Sequence, residues 1–171
     1  QSFRRVLEIE KSANSARAYI TAAGLYELYI NGCRVGNHIL DPMYTRYDRR
    51  NLYVTYDVTS QLQRGKNVMG VLLGNGWYNH QSLAVWNFHN APWRNRPAFC
   101  LDLKIVYEDG SIEVVSSDKD WKTSTGSLIS NSIYTGVHYD ARQEQKGWST
   151  IEFNDSEWED VIYRSVPSQK I

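Results

Sequence analysis

The chain has 171 residues, and nineteen Lys and Arg balance nineteen Asp and Glu, so its formal net charge is zero. That balance argues against a basic nucleic-acid footprint or an acidic disordered tail as a bulk property. No stretch approaches the roughly 18 apolar residues of a membrane-spanning helix. The expected partners therefore include neither nucleic acid nor membrane. Hydrophobic residues make up 42% and charged residues 22%, ordinary for a globular domain, and a chain this long buries about 70% of its unfolded surface, enough for one core. Six Trp, twelve Tyr and four Phe bring the aromatic share to 13%, which favours sheets and binding faces.

Hydrophobic periodicity is two along almost the whole chain. An opening strand is expected over residues 6–10 and another over 19–23. Tyr26, Leu28 and Ile30 form one face of a third, ending in Asn31-Gly32, the strongest short hairpin signal. Leu52, Val54, Tyr56 and Val58 alternate with Tyr53, Thr55 and Asp57. Thr59 is read as capping a short turn through Gln63, stopped by Gly65. A strand over 67–73 follows, and Gly74-Asn75-Gly76 allows a tight bend that delivers Trp77 to the core edge. Phe99, Leu101, Leu103, Ile105 and Tyr107 make one apolar face of a long strand, Asp109-Gly110 is read as a two-residue hairpin turn, and Ile112 and Val114 lie on the return strand. Asp140 and Arg142, two apart, fall on one face of an extended segment and are read as an ion pair holding the sheet. These signals predict an all-β fold, an antiparallel β-sandwich or jelly roll of the galactose-binding-like type with minimal helix. Residues 1–166 read as a single sandwich domain and 167–171 as the start of a linker to a missing downstream domain.

Residues 74–97 break the alternation and concentrate aromatic and polar residues: Trp77, Tyr78, Trp86, Phe88 and Trp93 with Asn75, Asn79, His80, Asn87, His89, Asn90, Arg94 and Asn95. Loops this long in a compact domain are usually functional. Trp77, beside a strand end, is read as a plug over the core. Trp86 and Trp93 are read either as such a cover or as a ligand or partner surface.

Other chemistry is missing from the pattern. His38, His80, His89 and His138 form no ligand pair at metal-binding spacing, and a lone His such as His80 or His89 is read as a hydrogen-bonding surface residue. There is no phosphate-binding Gly loop, no dinucleotide fingerprint and no Gly-x-Ser-x-Gly elbow. Asp109, Glu113, Asp118 and Asp155 fall at outward or turn positions and are read as solvated. Cys33 and Cys100 are expected as free thiols, with a disulfide between them left open. The chain starts at Gln1 without a secretory pattern, which suggests a processed product or an excised piece.

Several segments in order carry a resemblance: residues 18–32 (Ala-Tyr-Ile-Thr-Ala-Ala-Gly-Leu-Tyr-Glu-Leu-Tyr-Ile-Asn-Gly), Tyr56-Asp57-Val58-Thr59, Gly65-Lys66-Asn67-Val68, Leu72-Leu73-Gly74-Asn75-Gly76-Trp77-Tyr78, Gly136-Val137-His138-Tyr139-Asp140-Ala141-Arg142, Gly147-Trp148 and Asp155-Ser156-Glu157-Trp158. Together they resemble the N-terminal β-sandwich accessory domain of bacterial α-L-rhamnosidases of glycoside hydrolase family 78, over nearly the whole chain. The resemblance implies a non-catalytic accessory domain of a parent that hydrolyses terminal α-L-rhamnosides by inversion, with the catalytic carboxylates on a separate (α/α)6 barrel. The implied partner is that catalytic domain of the same parent chain, on which this one docks. The alternative is a carbohydrate-binding module for L-rhamnose or a related rhamnose-containing glycan. A bacterial degrader of polysaccharides or glycosides follows from the same resemblance; the compartment of the parent is left open between cytoplasm, periplasm and exterior, with the latter two favoured. Candidate binding or docking residues are Trp86, Trp93, Asn90, Arg94 and Asp48; no catalytic residue and no metal ligand is assigned. Some related modules grip the sugar through calcium with an Asp-Asn pair after a Tyr, whereas Tyr47-Asp48-Arg49-Arg50 stands here. Arg49 cannot coordinate a cation, Asn51 is the substitute within reach, and no cofactor is expected. Val137 is a second departure, at a position where relatives usually carry Glu.

Overall fold

A computed structural model describes residues 1–83 and 86–170. Strands β1 (Ser2–Ile9), β2 (Ala13–Ala23), β3 (Leu25–Ile30) and β4 (Cys33–Arg34) precede a long loop. Strands β5 (Tyr53–Asp57) and β6 (Gly65–Gly74) flank a 3-10 turn at Thr59–Gln61. After the aromatic loop come β7 (Ala98–Tyr107), β8 (Ile112–Ser116), β9 (Lys122–Ser124), β10 (Leu128–Ser132), β11 (Gly136–Tyr139) and β12 (Glu159–Asp160). A six-stranded sheet in the order β12-β9-β1-β6-β3-β4 faces a four-stranded sheet β5-β2-β7-β8, and β10 and β11 form a separate hairpin. All these pairings are antiparallel. The all-β antiparallel sandwich predicted from the periodicity is the observed fold.

The period-two pattern explains the core. Leu101, Leu103, Ile105 and Tyr107 of β7 meet Ala16, Ala18, Ile20 and Ala22 of the neighbouring β2. From the opposite sheet come Leu7 and Ile9, Tyr26, Leu28 and Ile30, and Met69, Val71 and Leu73. Small alanines on β2 leave room for the larger side chains opposite, as interdigitated packing requires. The Asn31-Gly32 hairpin forms as predicted: Ile30 pairs Cys33, and both turn residues take positive φ, 50° and 84°. The turn after β7 differs from expectation. Tyr107 and Ser111 close a three-residue loop, Glu108 to Gly110, with Gly110 at φ 80°. A three-residue loop with glycine in the left-handed region is the next hairpin solution after the two-residue one.

The Thr59 cap is also corrected. Asp57 Oδ1 accepts from the Thr59 backbone N–H and hydroxyl, while the Thr59 hydroxyl accepts from the Ala16 N–H, tying the turn to β2. An Asp side chain bonded two residues ahead outcompetes the hydroxyl for the cap. A second buried polar joint holds the other sheet. Asn67, fully buried, donates to the Gln63 and Gly65 carbonyls and accepts from Gln63 N–H and Asn31.

The outer face of the six-stranded sheet is covered by residues 147–158. Arg4, Gly70 and Tyr29 lie in one row across β1, β6 and β3. Gly70 leaves a gap there that Trp148 fills: a Cβ on Gly70 would stand 2.7 Å from the indole ring. Arg4, only 1% exposed, donates to the carbonyls of Trp148 and Thr150 at 3.0 and 2.9 Å and pairs with Asp155, which also binds Lys122 at 2.9 Å. Asp155 is therefore not a solvated carboxylate: the fold-back of 147–158 places it over a buried guanidinium, which the strand alternation alone assigns to solvent. Burial opposes its ionisation, but the Lys122 bond and the Arg4 charge outweigh that and hold its carboxyl below the ordinary range.

Candidate functional site

One end of the sandwich carries a second, aromatic core. The bend at Gly74-Asn75-Gly76 is fixed by Asn131 on β10, whose carboxamide oxygen accepts from the Asn75 N–H at 2.7 Å and whose backbone carbonyl accepts from the Asn75 side chain. That bend sends Trp77 and Tyr78 over the end of the sheets, the position the glycine pattern predicts for Trp77. Tyr47, Tyr78 and Ala23 are buried there, with Trp77 and Trp93 packed on them. Tyr44 and Phe88 add edge contacts at 5.6 Å, and Tyr134 of the β10–β11 hairpin meets Trp77 at 5.5 Å. Three separate loops thus share one aromatic cluster. Burial in it drives the Tyr47 and Tyr78 phenols up, so both stay neutral.

His80 belongs to this cluster. Its ring is buried, stacks 5.6 Å from Trp77 and reaches Ser82 through Nε2, while Nδ1 has no partner among the described residues. The surface role expected for it is corrected: the loop doubles back and covers it. Burial first, then the charges of His89 and Arg94, push its pKa down, so it is a neutral imidazole near pH 7.

The sequence-derived candidates separate in space. Trp93 is half-buried in the aromatic core, its Nε1 without a partner among the described residues. Trp86 is 75% exposed. Asn90 and Arg94 lie exposed in the same loop, where Asn90 contacts the His89 ring and Arg94 donates to the His89 carbonyl. Asp48 adjoins Tyr47 in sequence, and both its oxygens accept from Arg46, at 2.8 and 3.1 Å. That bond holds the Asp48 carboxyl below its usual range. The neighbouring Asn51 is buried and turns its amide nitrogen toward the Tyr47 carbonyl. The Asp48 carboxylate is thus already engaged by Arg46 and an arginine stands at the next position, while the Asn51 side-chain oxygen is buried with no partner among the described residues; a calcium ion takes six to eight oxygen ligands.

Other sequence readings also resolve. Asp140 and Arg142 do pair, at 2.7 Å, but on an exposed 3-10 turn at Ala141–Gln143 that Asp140 caps, not inside a sheet. Both cysteines are free and exposed. Residues 168–170 lie along residues 49–51: the Lys170 carbonyl accepts from Asn51 N–H, and the Ser168 hydroxyl donates to the Arg49 carbonyl.

Two surface features lacked a sequence signal. One is a cavity of about 430 Å³ between the end of the four-stranded sheet and residues 159–168, with Phe3, Phe99, Trp121 and Tyr163 as its aromatic lining and Arg96 and Arg164 among its charged residues. The other is a number of exposed apolar side chains, Ile39, Leu40 and Met43 in one loop and Leu83 and Trp86 in another, the two loops touching at Tyr44 and Phe88.

The comparisons with known proteins agree with this architecture. The family model for the α-L-rhamnosidase N-terminal domain matches residues 11–171. The chain belongs to this family. An α-L-rhamnosidase from Formosa agariphila is 38% identical over 91% of this chain, which spans 17% of that protein. Among solved structures, an α-L-rhamnosidase from Streptomyces avermitilis complexed with L-rhamnose superposes with a TM-score of 0.91 at 35% identity, covering 98% of this chain and 16% of that one. An α-L-rhamnosidase from Dictyoglumus thermophilum reaches 0.88 at 43% identity, over 97% of this chain and 18% of that one. This rhamnosidase N-terminal sandwich therefore corresponds to a small part of each of its relatives.

Proposed function

We propose that this chain is a non-catalytic accessory domain of a larger α-L-rhamnosidase and docks on the catalytic (α/α)6 barrel of the same parent. The parent would hydrolyse terminal α-L-rhamnosides with inversion. The small share of each relative that the chain spans supports a role as one part of a bigger machine. Its carboxylates support the absence of catalysis. Each of the aspartates whose titration is displaced — Asp48, Asp57, Asp109, Asp140 and Asp155 — is displaced downward by a bonded cation, hydroxyl or amide. A glycosidase general acid needs the opposite, a carboxyl raised toward neutrality. The reading calls for no cofactor.

The observation that carries docking is the exposure of large apolar side chains on the two loops. Ile39 is 77% exposed, Leu83 86% and Trp86 75%. Large apolar side chains left bare favour an interaction surface, and an exposed Trp is a typical energetic anchor. The test mixes this chain with the separately produced remainder of its parent. Trp86→Asp should weaken association by at least about thirtyfold, the equivalent of a hot spot worth about 2 kcal/mol. Unchanged association would sink the docking reading.

A second reading, a carbohydrate-binding module for L-rhamnose or a related glycan, is favoured by the same exposed ring. Trp86 offers a flat face with Asn90 and Arg94 on the same loop, and Trp93 backs that loop from the core. Affinity for a single sugar would lie near the millimolar range, about −4 kcal/mol. Trp86→Ala should then abolish a rhamnose-induced fluorescence change, whereas under docking there is no sugar response to lose.

A further inference from the structure

We propose that the arginine-rich flank of the aromatic end, built from Arg49, Arg50, Arg96 and Arg164, binds an acidic polysaccharide through its anionic groups. The inference goes beyond the carbohydrate-binding reading above, placing glycan contact on residues that reading does not use. The chain is neutral overall, yet not every arginine is matched by a carboxylate. Arg4, Arg5, Arg34, Arg46 and Arg142 each hold a carboxylate. Arg49, Arg50, Arg96 and Arg164 hold none within ion-pair distance among the described residues, and all four are exposed.

Their convergence is a product of the fold. Arg96 and Arg164, far apart in sequence, line the 430 Å³ cavity together with Asn51. Arg49 and Arg50 directly precede that Asn51, and the tail bonds from Ser168 and Lys170 draw the segment carrying Arg164 to the same three residues. The Arg164 charge also opposes the rise of the Tyr78 phenol pKa. The acidic residues of the cavity, Asp118, Glu159 and Asp160, come from its β9–β12 side, and Arg5 takes Asp118. Guanidinium forks match carboxylate and sulfate oxygens in paired hydrogen bonds. Tyr163, 74% exposed beside Arg164, adds a ring face for the apolar C–H side of a sugar. Four unpaired arginines with adjoining aromatic faces suit a polymer that repeats both features. Membership in a family whose relatives are glycosidases favours a glycan over nucleic acid.

The experiment measures binding of this chain to polygalacturonate, to dextran sulfate and to fully methyl-esterified polygalacturonate at 50 and 500 mM NaCl. The expected result is binding to one or both acidic polymers that is lost at high salt, with none to the ester. Arg96→Gln and Arg164→Gln should each weaken it about threefold, and together about tenfold, as exposed ion pairs of up to about 1 kcal/mol imply. Arg64→Gln, an exposed arginine outside this flank, should leave it unchanged. Equal loss in Arg64→Gln would overturn the proposal by reducing it to diffuse charge. Equal binding of the methyl ester would overturn it while leaving the neutral-glycan reading intact. Binding to no polymer, with association to the parent's remainder retained, would overturn it and leave docking standing. Equally tight binding of a single-stranded DNA oligonucleotide would overturn the assignment to a glycan.

Discussion

Replacing Asp155 with Ala strands a guanidinium that the fold has taken out of water. Arg4 is 1% exposed, and Asp155 is its one anionic partner among the described residues. Removing one member of a buried ion pair costs about 3–5 kcal/mol. Here Arg4 keeps the Trp148 and Thr150 carbonyls, and Lys122, less buried, can turn to solvent. The lower end applies, about 3 kcal/mol. For a domain of this size each kcal/mol shifts the melting midpoint by about 2–4 °C, so Asp155→Ala should melt about 6–12 °C lower. Differential scanning calorimetry at pH 7 in 0.1 and 1 M NaCl reads the effect, and salt should change the difference little because the pair is screened from solvent. The double variant Arg4→Met/Asp155→Leu removes both charges and should be more stable than Asp155→Ala alone. A loss below about 2 °C, or one that vanishes at high salt, would mean that the loop carbonyls satisfy Arg4 and that the pair does not anchor residues 147–158.

The same carboxylate sets a pH dependence: its folded pKa lies below the unfolded value near 3.9, so its stabilisation is complete above that value and is lost as pH falls through the folded one, and Asp155→Ala should flatten the acid limb of a melting-midpoint profile. His80 acts in the same direction at higher pH, because the unfolded imidazole protonates near 6.5 while the buried one resists. Intrinsic Trp fluorescence should therefore report loosening of the aromatic loop as pH falls below about 6.5, and an unchanged profile in His80→Gln would refute the assignment. Gly70→Ala should cost about 1–3 kcal/mol in urea denaturation, since Trp148 must move from a 2.7 Å contact. Asn67→Ala should cost about 1–3 kcal/mol by the same measurement, because several part-buried backbone partners lose their bond at once. Both thiols, Cys33 and Cys100, should react with a disulfide reagent in the folded protein without denaturant.

Alternation by itself determined the sandwich. Leu101, Leu103 and Ile105 point to one face because successive side chains on a strand must, and Asn31-Gly32 adopts its turn because both residues tolerate positive φ. These are local properties, carried by a few neighbouring residues. The ordered segments from Ala18 to Trp158 likewise placed the chain in its family before any contact was known. Arg4 shows the limit. Its strand parity puts it on the outer face, correctly, but whether that face meets water depends on residues 147–158, more than 140 positions away. Asp155 and His80 differ from the sequence reading for related reasons: burial is a property of what folds over a residue, not of the residue or its spacing. The Asp140–Arg142 pair was legible, but not that it sits at a 3-10 turn. The arginine flank is likewise tertiary. Arg49 and Arg164 carry no pattern linking them in sequence. Loop closure over the end of the two sheets brings their segments together, because the Tyr47, Tyr78 and Trp93 rings leave water only when those loops meet.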